Sequence, residues 1–391
     1  MRLRKPLLAG LAVVAAGLAL VGGLGILKGA VPTAEPATFP AGDAKRGAYL
    51  ARMSGCIGCH TDSEAGGAPL AGGAPIETRF GSFVPPNVTQ HPEAGIGDWT
   101  VADFARAVRQ GVSPEGDPYY PAFPYAMYTH MSDQDVADLW AAFQTVAPAD
   151  GGRKGNDLSF PFSIREGLHV WRALHFEPAR FEPDPERSEA WDRGAYIVTG
   201  PGHCGACHTP RGLLGGRDGD RFLAGGSDGP GGAKVPAITP EALKEAGWTR
   251  DGLVTALRTG LTPEGDSLGS GMGEVVRDGT AWLNDADLEA IATYLLEPRN
   301  PGTPTEDDAM WNGNGMHDWG WHGFFAWPML LFLLVIVLAG YGLYSLGRTA
   351  GERRRPRPVD ELTERYLRGE IDDETFRQRL RALRDAEGSG R

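Results

Sequence analysis

The chain has 391 residues and a formal net charge of −12, long enough for more than one domain and the wrong sign for binding nucleic acid. An acidic surface suits a basic protein partner whose docking weakens with salt, and equally a soluble surface without one. The cysteines number four, and no Ser/His/Asp set, phosphate loop or paired-carboxylate motif points to bond-making catalysis.

Met1-Arg2-Leu3-Arg4-Lys5 precedes an uncharged run from Leu7 to Leu27. At about 1.5 Å per helical residue, such a run crosses a bilayer core of about 30 Å. Residues 1–30 are expected to be an N-terminal anchor, or else a signal sequence, with the basic end in the cytoplasm.

Residues 43–148 form the first expected domain. A helical pattern carrying Arg46-Gly47-Ala48-Tyr49 leads into Cys56-Ile57-Gly58-Cys59-His60. Two thiols at this spacing reach both vinyl groups of one haem, and the adjacent histidine is placed to ligate its iron. Taken alone, Cys-x-x-Cys also fits a zinc half-site, a redox dithiol or a disulfide. The recurrence of the whole pentapeptide as Cys204-Gly205-Ala206-Cys207-His208 favours two covalently attached haem c groups. A Gly/Pro-rich loop follows, then a helix near Trp99 and a closing helix from Ser132, its expected N-cap. Residues 149–190 are a linker with one amphipathic piece from Ile164 to Leu174.

Residues 191–298 repeat the plan. Arg193-Gly194-Ala195-Tyr196, Leu223-Ala224-Gly225-Gly226 and Pro263-Glu264-Gly265-Asp266 echo Arg46 to Tyr49, Leu70 to Gly73 and Pro114 to Asp117 in the same order. A helix resumes near Trp248, and the closing helix begins at Asn284. Residues 299–323 are a second linker. A further uncharged run, Phe324 to Leu346, follows Trp311, Trp319 and Trp321 and precedes Arg348, Arg353, Arg354, Arg355 and Arg357. The positive-inside rule puts its C-terminal end in the cytoplasm. The segment between the two runs is then periplasmic, where thiols are not kept reduced. The tail, 358–385, reads as two short helices parted at Gly369, with Asp372 as cap and Ile371 and Phe376 as a hydrophobic staple.

The arrangement resembles the membrane-bound cytochrome c subunits that accept electrons from periplasmic alcohol, aldehyde and related dehydrogenases. The resemblance rests on Arg46 to Leu50, Asn87-Val88-Thr89, Gly95 to Trp99, Tyr120 to Tyr125, Gly202 to Arg211 and Leu268 to Val276, and covers residues 43–298. It implies a mainly α fold: two tandem class I cytochrome c domains between two transmembrane helices, plus a short C-terminal helical hairpin. Members of that family often carry three haems, where this chain has two motifs. The tail resembles the short C-terminal domain (SHOCT) family of bacterial membrane proteins; a helix pair this short has too little core to stand alone, so it is expected to pack on a partner or another copy.

His60 and His208 are the expected proximal ligands. The resemblance assigns the distal ligand of the second haem to Met272. In the first half, the family's Pro-Ala-Met-Pro-Tyr would place a ligand where this chain has Phe123, which cannot bind iron. Met127 is the expected replacement, with His130, a packed Met131 or an open site as alternatives. Arg211 is expected to pair with a haem propionate. Trp99, Trp248, Tyr49 and Tyr196 are assigned to haem packing, and His91, His169, His175 and His203 to the surface or to packing. The resemblance implies an inner-membrane electron carrier between a periplasmic dehydrogenase or redox protein and a respiratory oxidase or soluble cytochrome. The alternatives are a dihaem oxidoreductase, such as a thiosulfate dehydrogenase or peroxidase, and a haem-based redox sensor.

Overall fold

The structure, a computed structural model, describes residues 38–151, 155–227, 229, 232–269, 271–297 and 358–388. Both expected membrane runs and the linker 299–323 lie outside them. Among the described residues, no helix is long and apolar enough to cross a membrane.

Asp43 starts α1 (Ala44–Met53), its carboxylate accepting from the Lys45 and Arg46 amides. The first pentapeptide is itself a short helix, α2 (Cys56–His60). A small sheet of β1 (Ile76–Thr78) and β2 (Gly81–Phe83) follows, with Ile76 opposite Phe83. Thr100 and Asp103 build a capping box at the start of α3 (Val101–Gln110). The short turn α4 (Tyr125–Tyr128) precedes the closing helix α5 (Asp133–Phe143). From the linker, β3 (Asp157–Leu158) joins the sheet beside β2, and the expected amphipathic piece is α6 (Gly167–His175). No pattern in the sequence announces the sheet, since each strand is only two or three residues long.

The second half retraces this order with α7 (Glu189–Thr199), α8 (Gly205–His208), α9 (Pro240–Glu245), α10 (Arg250–Thr259), α11 (Gly271–Asp278) and α12 (Asp285–Leu296). Both expected caps form: Ser132 Oγ accepts from the Asp135 amide at 3.1 Å, and Asn284 Oδ1 from that of Asp287 at 2.8 Å. The described residues from 38 to 297 belong to one compact unit, and one cluster of buried side chains runs from Leu50, Val136 and Leu139 to Ile197, Val198 and Leu288. Half-buried Trp99 and Trp248 pack against that cluster.

The repeated Arg-Gly-Ala-Tyr explains how the halves are built and joined. Within each half the opening helix packs on the closing one, α1 on α5 and α7 on α12. The glycines permit the approach, because a Cβ on Gly47 would overlap the Asp138 carbonyl and one on Gly194 the Ala290 carbonyl. The arginines bond within their own half, Arg46 to Asp135 and Asp138, and Arg193 to both oxygens of Asp287 at 2.7 and 2.9 Å. The tyrosines bond across to the other half. Tyr49 donates to Asp287 at 2.6 Å, and Tyr196 donates to Asp135. A spacing shared by two repeats cannot show that a side chain serves the opposite copy.

The tail belongs to a separate unit and is the expected helix pair, α13 (Pro358–Leu367) and α14 (Asp373–Gly388). Gly369 turns the chain at φ +73°, and the Asp372 carboxylate accepts from the Thr375 amide at 2.8 Å. The spacing predicts Ile371 as the partner of Phe376; the ring stacked on it, 4.5 Å away, is Tyr366.

Burial alone would raise the Asp287 carboxyl, but the bonds from Arg193 and Tyr49 outweigh it and hold it below the usual carboxylate range. Asp138 is held down in the same way by the Asp43 amide, Arg46 and Gln134. A depressed folded-state value means the stabilisation is complete above the unfolded value of about 3.9 and is lost as pH falls through the folded value. The thermal midpoint should therefore hold steady from neutral pH to about 4 and drop below it. Asp287→Asn should flatten that drop, and an unchanged acid limb in scanning calorimetry would contradict the assignment.

Candidate haem sites

Each pentapeptide is followed by the same set of bonds. His60 Nδ1 lies 2.7 Å from the Pro86 carbonyl, and His208 Nδ1 lies 2.8 Å from that of Pro236. A carbonyl only accepts, so Nδ1 carries the proton and Nε2 keeps its lone pair for a metal. Burial lowers the pKa of both histidines, which keeps the rings neutral. The next residue in each half, Thr61 or Thr209, accepts from the Leu70 amide at 3.0 Å or the Leu223 amide at 3.1 Å. Leu70 and Leu223 sit at φ +62° and +63°, a conformation that bulky residues rarely adopt. Their carbonyls accept from the Val88 and Ile238 amides at 2.9 Å each, two residues past the two prolines. The same strained leucine thus ties the haem-motif turn to the proline segment in both halves.

All four thiols are free, and burial pushes those of Cys56 and Cys204 up to about 12. A redox dithiol works through a thiol shifted the other way, down toward neutral pH. Among the described residues, no group of three His, Cys, Asp or Glu is arranged to hold a metal ion by itself. Two thiols one helical turn apart beside an imidazole with an open Nε2 do fit a covalently bound haem, twice.

The expected distal residues are placed differently from one another. Met272 is half-buried on α11, and α11 packs against α2 of the first half. Met127 on α4 is 2% exposed, and its sulfur takes a bond from Arg217 of the second half. Met131 is fully buried in the core cluster. His130 Nδ1 lies 3.0 Å from the Thr199 carbonyl across the seam, and burial lowers its pKa to about 4. Phe123 sits among Tyr119, Tyr125 and Tyr128.

Arg211 braces the second pentapeptide, donating to the Ala206 carbonyl at 2.6 Å and to that of Gly215 at 2.8 Å. Arg217 escaped the sequence reading. Burial and the neighbouring Arg211 lower its pKa to about 9, and with Phe123, Met127, Trp171, His175 and Arg211 it lines a narrow cavity between the halves. Nothing in its spacing distinguishes it from a surface arginine. His203, expected at the surface or in packing, lies at the seam between the halves, with φ +40° and its ring 5.7 Å from Tyr128.

Residues 44–143 match the cytochrome c family. A dihaem c-type cytochrome of Cereibacter sphaeroides is 42% identical over 299 residues, which is 75% of this chain and 98% of that protein. The gluconate 2-dehydrogenase cytochrome c subunit of Pantoea cypripedii is 36% identical over 312 residues, covering 74% of this chain and 70% of its own length. The alcohol dehydrogenase (quinone) cytochrome c subunit of Gluconacetobacter polyoxogenes is 37% identical over 281 residues, 68% of this chain and 59% of that subunit. The chain belongs to the c-type cytochromes, in the family of the dihaem protein of Cereibacter sphaeroides. Covalently bound haem c and electron transfer come with that membership.

Proposed function

We propose that the chain is a membrane-anchored dihaem cytochrome c that carries electrons from a periplasmic dehydrogenase or redox protein to a respiratory acceptor. The observation that carries this reading is the duplicated site: two imidazoles, each with Nδ1 held by a proline carbonyl at 2.7 or 2.8 Å, each beside two thiols. In this reading Cys56, Cys59 and His60 hold one haem, and Cys204, Cys207 and His208 hold the other. Bound haem supplies reversible one-electron chemistry. The proline carbonyls orient the imidazoles, Arg211 offers a guanidinium to a propionate, and Met272 and Met127 supply thioethers that raise the potential.

Residues 43–148 and 191–298 would then be tandem class I cytochrome c domains. Residues 1–30 and 324–346 would be membrane spans, with the haems on the periplasmic side and the hairpin 358–385 in the cytoplasm. The relatives named as subunits of gluconate, alcohol and fructose dehydrogenases support a dehydrogenase as donor. An oxidase or a soluble cytochrome is the matching acceptor.

A second reading has one observation in its favour. Met127, the expected distal ligand of the first iron, already has its sulfur bonded by Arg217. A first iron without a firm sixth ligand would suit a dihaem oxidoreductase acting on a small substrate.

The dihaem reading predicts two haems per chain. Cys56→Ala/Cys59→Ala should keep about half of the haem stain on a denaturing gel, and loss of all or none of it would refute independent attachment. Reporter fusions at residue 391 should be active only in the cytoplasm. Periplasmic activity would overturn the topology. In ferric protein, Met272→Ala should remove part of the far-red sulfur-to-iron band and Met127→Ala the rest, each lowering the potential of one haem. If Met127→Ala changes neither, and cyanide binds rapidly to one wild-type haem, the oxidoreductase reading replaces the carrier.

A further inference from the structure

We propose that Tyr49 and Tyr196 are positioning residues for electron transfer: their bonds across the seam hold the two pentapeptide turns against each other, so that an electron passes between the two sites within one chain. The inference rests on the reading that both pentapeptides carry haem.

In an ordinary capping box, the acid at the third helical position reaches back to the amide of the cap residue. Asp135 and Asp287 occupy that position in α5 and α12, and Ser132 and Asn284 complete one half of each box. The other half is completed from the opposite repeat. Tyr49 Oη accepts from the Asn284 amide at 3.2 Å and donates to Asp287 at 2.6 Å. Tyr196 Oη accepts from the Ser132 amide at 3.2 Å and donates to Asp135. Each closing helix therefore takes part of its N-terminal capping from the other repeat. Holding one repeat together needs the arginine and the glycine of each tetrapeptide; the tyrosine specifies where the second repeat sits.

The exchange is reciprocal beyond the tyrosines. Arg52 near the end of α1 lies over Trp282 at 3.8 Å, and at the matching places His130 Nδ1 meets the carbonyl of Thr199, the last residue of α7, at 3.0 Å. What this docking brings together is the pair of attachment turns. A Cβ on Gly55, just before the first pentapeptide, would lie 3.1 Å from the ring of His203, just before the second. A Cβ on Gly58 would lie 3.4 Å from Asp278 of α11. The step itself carries one electron from a ferrous to a ferric iron, with no bond made or broken and no proton moved.

The test is Tyr49→Phe/Tyr196→Phe in the full-length holoprotein, which keeps both rings and removes all four hydroxyl bonds across the seam. Haem content should match wild type. The two-signed Soret couplet in circular dichroism that closely held haems give wild type should be lost. Flash-initiated electron transfer between the haems should slow from its wild-type rate, because the placement of one turn against the other is no longer held. A purely structural role would lower the thermal midpoint while couplet and rate stayed unchanged, and that outcome overturns the proposal. So does a wild-type protein with two haems and no couplet. Should the double variant fail to fold, Tyr49→Phe alone retains the reciprocal bond and should show the same loss in part; an unchanged couplet and rate there overturn it equally. A wild-type chain with one haem sinks the dihaem reading itself, whereas two haems in an insensitive variant sink only this inference.

Discussion

Two buried carboxylates, Asp135 and Asp287, hold the haem-motif region together. Each sits in the first turn of a closing helix, takes an arginine from its own half and a tyrosine from the other, and is nearly sealed from solvent. A buried carboxylate left without partners costs several kcal/mol, roughly what a pair of charge-assisted bonds at about 1.5–3 kcal/mol each offsets. Neither partner can be lost cheaply. The interaction that closes each repeat is thus chemically tied to the one that joins the repeats, and this gives a single compact unit from two similar sequences.

The haem sites depend on that frame at one remove. The pentapeptides are short turns with no buried apolar face of their own in the first half, so their placement comes from what flanks them. Upstream, α1 and α7 are locked on their closing helices. Downstream, Leu70 and Leu223 are held in a strained conformation by threonine hydroxyls and hand the chain to the proline whose carbonyl orients the histidine. Strain repeated at equivalent positions marks a built site, because it persists only where the surroundings over-determine it. The two sites differ on the other side of the expected haem. One half offers Met272 on a short helix; the other offers Met127 already engaged by Arg217.

The pentapeptides, the duplication, the caps at Ser132 and Asn284 and the tail helices were legible in the sequence, because each depends on residues within one or two helical turns. Covalent attachment chemistry needs a fixed local spacing, and a cap needs a hydroxyl or amide three residues before the amide it satisfies. The partnerships of Tyr49 with Asp287 and of Tyr196 with Asp135 span 238 and 61 residues, and no local pattern encodes them. The repeat even misdirects here, since it suggests that equivalent residues serve their own copy. Arg217 is likewise meaningful only through what folding sets beside it. Local spacing therefore determined what this protein binds, while the tertiary structure alone decided how the two sites face each other, because relative placement is a property of contacts between segments far apart in the chain.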